Sequence, residues 1–305
     1  TPGHYEFLKI AEGCSKRCTY CVIPYIRGGY RSYEMEELLE QAADLAAEGV
    51  KELIIVAQET TVYGKDIYGK KSLPRLLKRL CAIEGFEWIR VLYTYPEEID
   101  DEFLELMASE PKIVKYIDMP IQHSSDSILR KMGRRTTHED LVNIIKNVRE
   151  KVPGIALRTT LITGFPGESD EDFRKLKEFV GEVRFDHLGV FTYSQEEGTP
   201  AASFAGQIPE QTKEKRRDEI MKLQSKISSE ILAEKIGEEF DVFIEGYLPE
   251  DEIYVGRTFR DAPEVDSYFY VKSSRQLMTG DFVKAVCTGA SSYDLYGEEK
   301  DESAE

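Results

Sequence analysis

From Tyr5 to about Tyr193 the sequence alternates short β-branched, apolar runs with longer amphipathic stretches, and no other feature restricts the possible folds as much. Repeated βα units build a parallel sheet, because each helix carries the chain back so that the next strand can run the same way. Six strand candidates are read at Phe7 to Ala11, Glu52 to Ala57, Trp88 to Thr94, Tyr116 to Met119, Ala156 to Ile162 and His187 to Phe191. Helix candidates fall between them at Glu34 to Glu48, Leu73 to Ile83, Asp101 to Ser109, His138 to Lys151 and Asp170 to Val183. Several open on Asp, Ser or Thr and close on Gly or Pro, as Gly49 closes the first. Six units are too few for an eight-stranded barrel. The predicted fold class is therefore α/β, a partial (βα)6 barrel with its site at the C-terminal ends of the strands.

After Pro209 a highly charged helical stretch runs to about Ile236, and beyond Gly237 the texture changes to short alternating strands at Phe240 to Gly246, Tyr268 to Val271 and Asp281 to Thr288. This predicts a core with a linking helix over 1–236, a small all-β barrel over 237–297 and a disordered acidic tail over 298–305. A chain of 305 residues, 41% of them hydrophobic, can bury a full core. No apolar run approaches the roughly 18 residues of a membrane span, and the start lacks the order of a signal peptide, so a cytoplasmic location is expected. The chain opens at Thr1-Pro2 without methionine and runs straight into a strand, as a fragment or processed product would. A formal charge of −17 repels phosphate backbones and favours a basic partner.

Three of the five cysteines, Cys14, Cys18 and Cys21, stand at C-x3-C-x2-C directly after the first strand. Crowding of this kind points to a metal or cluster site rather than a disulfide framework. Three thiolates in one loop suit a [4Fe-4S] cluster with one iron left open, whereas zinc wants four ligands, and no second Cys pair or nearby His supplies the fourth. Cys81 lies on the apolar face of Leu76, Leu77 and Leu80, and Cys287 in an apolar strand, so both read as core residues.

Three stretches carry a resemblance. Cys14-Ser-Lys-Arg-Cys18-Thr-Tyr-Cys21 runs on into Pro24 and Arg27-Gly28; Val56-Ala57-Gln58-Glu59-Thr60-Thr61-Val62-Tyr63-Gly64 follows the second strand; and Arg158-Thr-Thr-Leu-Ile-Thr-Gly164-Phe-Pro166-Gly167-Glu168 ends the fifth. The chain resembles the methylthiotransferase branch of the radical S-adenosylmethionine (SAM) superfamily over essentially its whole length. Its Ala57-Gln58-Glu59 run resembles the protein-modifying members, where the tRNA-modifying members have Gly-Gln-Asn. The resemblance implies that the cluster binds SAM at its open iron and, once reduced, cleaves it to a 5′-deoxyadenosyl radical. It also implies SAM contacts at Gly164, Pro166 and Gly167, whose bland reading is a tight β-to-α turn.

Other SAM-contact candidates sit at strand ends. Gln58 is placed to bond the amino acid part of SAM, Arg158 to pair with its carboxylate, Gln122 and Ser124 to reach its ribose or carboxylate, and Tyr20 to cover cluster or adenine. A lone His123 reads as a hydrogen-bonded spectator, and Arg134-Arg135 as helix-end charge or a substrate contact. Residues 237–297 resemble a TRAM domain. Glu238 to Gly297 holds 12 acidic against 5 basic residues, a net −7 that disfavours RNA and suits a basic protein.

The resemblance implies methylthiolation of an aspartate β-carbon in a small-subunit ribosomal protein, with electrons from a reductant such as flavodoxin or ferredoxin. It further implies a second [4Fe-4S] cluster held by three cysteines in an N-terminal domain that these 305 residues do not contain. With only Cys81 and Cys287 to spare, the expectation is one cluster and SAM cleavage without sulfur insertion. The rivals are methylthiolation of a tRNA adenosine, and a noncatalytic scaffold with zinc in the cysteine loop.

Overall fold

The structure, a computed structural model, describes residues 3–300. Its six parallel core strands are β1 (Tyr5–Lys9), β2 (Glu52–Val56), β3 (Trp88–Val91), β4 (Tyr116–Asp118), β5 (Ala156–Thr163) and β6 (His187–Thr192). Between them lie α1 (Met35–Ala47), α2 (Leu73–Cys81), α3 (Asp101–Ser109), α4 (His138–Lys151) and α5 (Asp170–Val183). The predicted partial α/β barrel is the observed fold. At its start the strand ends early: Ile10 still donates to Val56 (3.0 Å), but Ala11–Glu12 turns away to pair antiparallel with Arg31–Ser32.

Both faces of the sheet are largely buried in its central strands, as parallel sheets require, while Phe7 and Phe191 on the edge strands stay exposed. Leu53 and Ile55 point outward to Leu76, Leu77 and Leu80 of α2, with Cys81 in the same apolar cluster. Glu52 and Ile54 point into the barrel. The ladder is not continuous, since β1-β2-β3 and β4-β5-β6 form separate three-stranded sheets. With only three residues, β4 leaves the seam to a bridge between Ile89 and Ile113 and to Thr94, which donates to the Asp118 carbonyl at 2.9 Å. Helices α4 and α5 each start with a capping box, Thr137 with Asp140 and Ser169 with Asp172, which satisfies backbone donors the helix cannot.

Helix α6 (Glu210–Ala233) packs beside β6, burying Ile220 and Ile227 and donating from Gln224 to the Phe185 carbonyl at 2.8 Å. The second unit is a closed five-stranded barrel of β7 (Glu239–Leu248), β8 (Ile253–Arg257), β9 (Phe269–Lys272), β10 (Phe282–Ala290) and β11 (Leu295–Glu299), in the order β8-β9-β11-β10-β7. Glu298 and Glu299, expected in an acidic tail, belong to β11. Lys272 is the register partner of Glu298 in the ladder and Ser273 donates to Glu299 at 2.5 Å, so β pairing orders this stretch. Residues 301–305 of the expected tail lie outside the described residues. Cys287 is buried in the barrel core, as expected.

The small barrel seats against the partial barrel where the core strands begin. Arg257 and the loop after β8 touch an inward-facing residue of every core strand: Tyr5, Glu52, Arg90, Tyr116, Arg158 and His187. All of these contacts are polar, and all but the buried Arg257–Glu52 pair are part-buried. Glu52 accepts from Arg90 (2.7 Å) and from Arg257 (2.6 Å), all three being fully buried.

Candidate active site

The cysteine loop is shaped by glycine. Gly13 sits at φ +76°, and a Cβ there would collide with the carbonyl oxygen of Gly29, so the loop folds back on 28–29 only without a side chain. Cys14 donates to the Gly28 carbonyl (3.2 Å), Cys21 to the Cys18 carbonyl (3.1 Å), and Thr19 to the Met132 carbonyl (2.9 Å). Lys16, between the first two cysteines, is anchored to Glu98 at 2.7 Å. Burial pushes the Cys14 thiol up to about 11 and also raises Cys21. Thiolates form here only if a positive partner offsets that penalty, which is what iron does.

Cys18 and Cys21 open onto a cavity of about 560 Å³ at the C-terminal ends of the strands. Tyr20, Gln58, Gln122 and Arg158 line it too, so the structure brings four of the predicted contacts together with the cysteines. The side-chain oxygens of Gln58 and Gln122 are buried and meet no donor. Two cavity residues, Tyr93 and Gln122, hold φ at +59° and +71°, a strained region for residues with a Cβ and one that collects at functional sites. Tyr20 packs edge-on against Phe165 and turns inward beside Cys18.

Arg158 differs from its expected role. Its guanidinium donates to Asp118 at 2.9 Å and to Asp266 of the small barrel's loop at 3.3 Å, so its charge is already met. Ser124 is buried and lines a separate cleft beside His138 and Asp172. The turn of Gly164, Pro166 and Gly167 does not line the cavity either. Helix α6 crosses it closely: a Cβ on Gly164 would collide with Lys213, while Glu168 ties the turn down by accepting from Gly164 (2.8 Å) and Arg216 (2.7 Å). This turn reaches the site through Phe165 against Tyr20. His123 is fully buried, its Nδ1 accepting from the Ser125 backbone N–H at 2.9 Å while its Nε2 is buried without a hydrogen-bond partner.

Sequence reading missed Tyr95, Asp118 and the loop residues Pro263, Glu264 and Val265, all in the cavity wall. Tyr95 lies 3.5 Å from the Cys18 sulfur, and its place just past β3 was the available signal. For Arg134 the sequence left helix-end charge or a substrate contact open. The arginine is buried, stacks 4.3 Å over the Tyr95 ring and lines the cavity.

The family described as "Radical SAM superfamily" matches residues 8–180, and "TRAM domain" matches 236–299. A protein named ribosomal protein uS12 methylthiotransferase RimO from Lachnoclostridium phytofermentans is 57% identical over 297 residues, 97% of this chain and 68% of its own length. The chain belongs to the RimO family of radical SAM methylthiotransferases. Relatives of the same name from Acetivibrio thermocellus and Clostridioides difficile are each 50% identical, and the chain spans 67% of the length of each. Among solved structures, methylornithine synthase (PylB) aligns with a TM-score of 0.52 at 15% identity, covering 73% of this chain and 62% of that one. TsrM from Kitasatospora setae, with cobalamin and a [4Fe-4S] cluster bound, aligns at 0.50 and 22% identity, covering 65% and 36%. Both likenesses concern the fold.

Membership in the radical SAM superfamily brings a [4Fe-4S] cluster and SAM, and the residues fit both. Three thiols share one loop, two of them on the wall of a cavity whose amide oxygens lack donors. The zinc-scaffold alternative is disfavoured by membership in a family of radical SAM enzymes.

Proposed function

We propose that this chain binds a [4Fe-4S] cluster at Cys14, Cys18 and Cys21 and cleaves SAM there, and that this chemistry serves methylthiolation of a basic ribosomal protein, uS12, at an aspartate β-carbon. The observation that carries the reading is the cavity in which two of those cysteines meet the donorless amide oxygens of Gln58 and Gln122. When bound, cluster and SAM supply a carbon radical able to take hydrogen from an unactivated carbon. The chain's own residues bind, orient and shield. The side-chain oxygens of Gln58 and Gln122 accept from the ammonium group of SAM, which ends their unpaired burial. Tyr20, held by Phe165, and Tyr95 cover the cluster side of the cavity and keep water from it. Asp118, Arg158 and Asp266 form a charge-paired brace that fixes the opposite wall rather than a ligand site. Gly164, Pro166 and Gly167 support Tyr20 from behind through Phe165.

A tRNA substrate is disfavoured by the Ala57-Gln58-Glu59 run and by the −7 balance of the small barrel, which attracts a basic protein. Electrons come from a small flavin or iron-sulfur protein such as flavodoxin or ferredoxin, and the enzyme works in the cytoplasm, where ribosomes are assembled. No helix among the described residues is long and apolar enough to cross a membrane. The test is anaerobic reconstitution followed by reduction with SAM present. Four irons per chain and release of 5′-deoxyadenosine are expected, together with binding of uS12 in preference to tRNA. Zinc without iron would end the reading, and preference for tRNA would reverse the choice of substrate.

A further inference from the structure

Arg134 is the one cation among the described cavity-lining residues that meets no carboxylate. Only 6% exposed, it donates from Nη2 to the Pro120 carbonyl at 2.7 Å, lies over the Tyr95 ring, and leaves Nε buried without a partner. The contrast with Arg158, the other arginine in the same wall, is direct: that one is met by Asp118 and Asp266. A guanidinium removed from water and left uncompensated is costly, and it is matched best by a planar carboxylate that takes two of its N–H groups at once. Stacking on Tyr95 fixes the plane of the fork without satisfying its donors. Electrostatically it lies close to Tyr20, Tyr95 and Cys18, on the cluster side of the cavity, and it feels the Glu97 carboxylate without forming an ion pair to it. The donorless oxygens of Gln58 and Gln122 sit in the same wall, so the cavity presents unmet donors and unmet acceptors together. That pattern complements a group bearing both a carboxylate and an ammonium.

We infer that Arg134 binds the carboxylate of a molecule held in this cavity. Two sources share that chemistry, the amino acid end of SAM and an acidic side chain of the protein substrate. The inference rests on the proposed function, and the experiment separates the two. Wild-type, R134Q and R134K proteins are reconstituted anaerobically and checked for iron content and melting temperature. Binding of SAM and of decarboxylated SAM is then measured by titration calorimetry, and binding of a uS12 peptide is compared with that of its Asp-to-Asn counterpart. Loss of at least tenfold in affinity for SAM in R134Q, a smaller loss in R134K and equal binding of decarboxylated SAM by all three proteins identify SAM as the source. The same pattern with the Asp and Asn peptides identifies the substrate. The inference is overturned if R134Q binds SAM and the Asp peptide within twofold of wild type. It is also overturned if the loss is the same for ligands with and without the carboxylate, or if both variants fail to take up iron, since Arg134 then only supports the cluster loop. A wild-type protein that takes up no iron, or binds neither SAM nor peptide, removes the proposed function itself. That result is distinct from a normal wild type with insensitive variants.

Discussion

Cys18 joins the cluster loop to the cavity, lying 3.5 Å from the Tyr95 hydroxyl and beside Tyr20. Replacing it with Ala leaves two thiolates, too few to hold a cluster with one open iron. Cys18→Ala is expected to lose the iron absorbance and 5′-deoxyadenosine release together, whereas Cys81→Ala, far off in the α2 packing, keeps both; iron analysis and chromatography check this. Arg158 gives the opposite lesson. Its charge was legible in sequence, but its partners come from β4 and from a loop 108 residues away, and no local pattern announces them. Because Arg158→Gln leaves Asp118 buried without a cation and Asp266 with only His187 beside it, it is expected to lower stability by about 3 kcal/mol. Denaturant titration of the unreconstituted protein measures this.

The helices and strands were legible because each carries its own period and punctuation. Helix α5 begins where Ser169 and Asp172 form a capping box before an apolar stripe, and it runs from Asp170 to Val183 as read. What the sequence did not reveal is that Asp172 also accepts from Ser125 (2.5 Å) and Ser127 (2.6 Å), tying α5 to the segment after β4. Burial works against the Asp172 carboxylate, but these hydroxyls and Ser169 outweigh it and hold the group well below the usual carboxylate range. A carboxylate whose folded value is depressed contributes stability above its unfolded value, near pH 4, and that stability disappears as pH falls further. Asp172→Asn is therefore expected to lower stability by about 1 kcal/mol at pH 7, with the gap to wild type closing toward pH 2. Melting curves across pH follow it. The strand β8, by contrast, escaped reading because Ile253 to Arg257 is short and follows an acidic turn.

At the scale of the molecule, the seam between core and small barrel is a polar, buried bond rather than a loose linker. Burial opposes the charge on Glu52, but Arg257 and Arg90 outweigh it and hold the carboxyl below its ordinary range. Glu52→Gln strands the buried Arg90 guanidinium and leaves Arg257 with Glu245 alone, and is expected to cost about 3–5 kcal/mol, read as a lower melting temperature, with the largest penalty at neutral pH. The net charge of −17 belongs to this scale as well. Affinity for a basic ribosomal protein is expected to weaken as salt rises from 50 to about 300 mM, because screening shortens the reach of that field; a salt series with uS12 tests it. The sequence by itself determined the βα rhythm, the cysteine loop and the second domain, since each is written in contiguous residues whose spacing carries its own physics. Tertiary structure alone decided which polar residues face the cavity and which are already paired. Arg134 and Arg158 are both arginines in the same wall, and they differ only because distant carboxylates reach one of them and not the other.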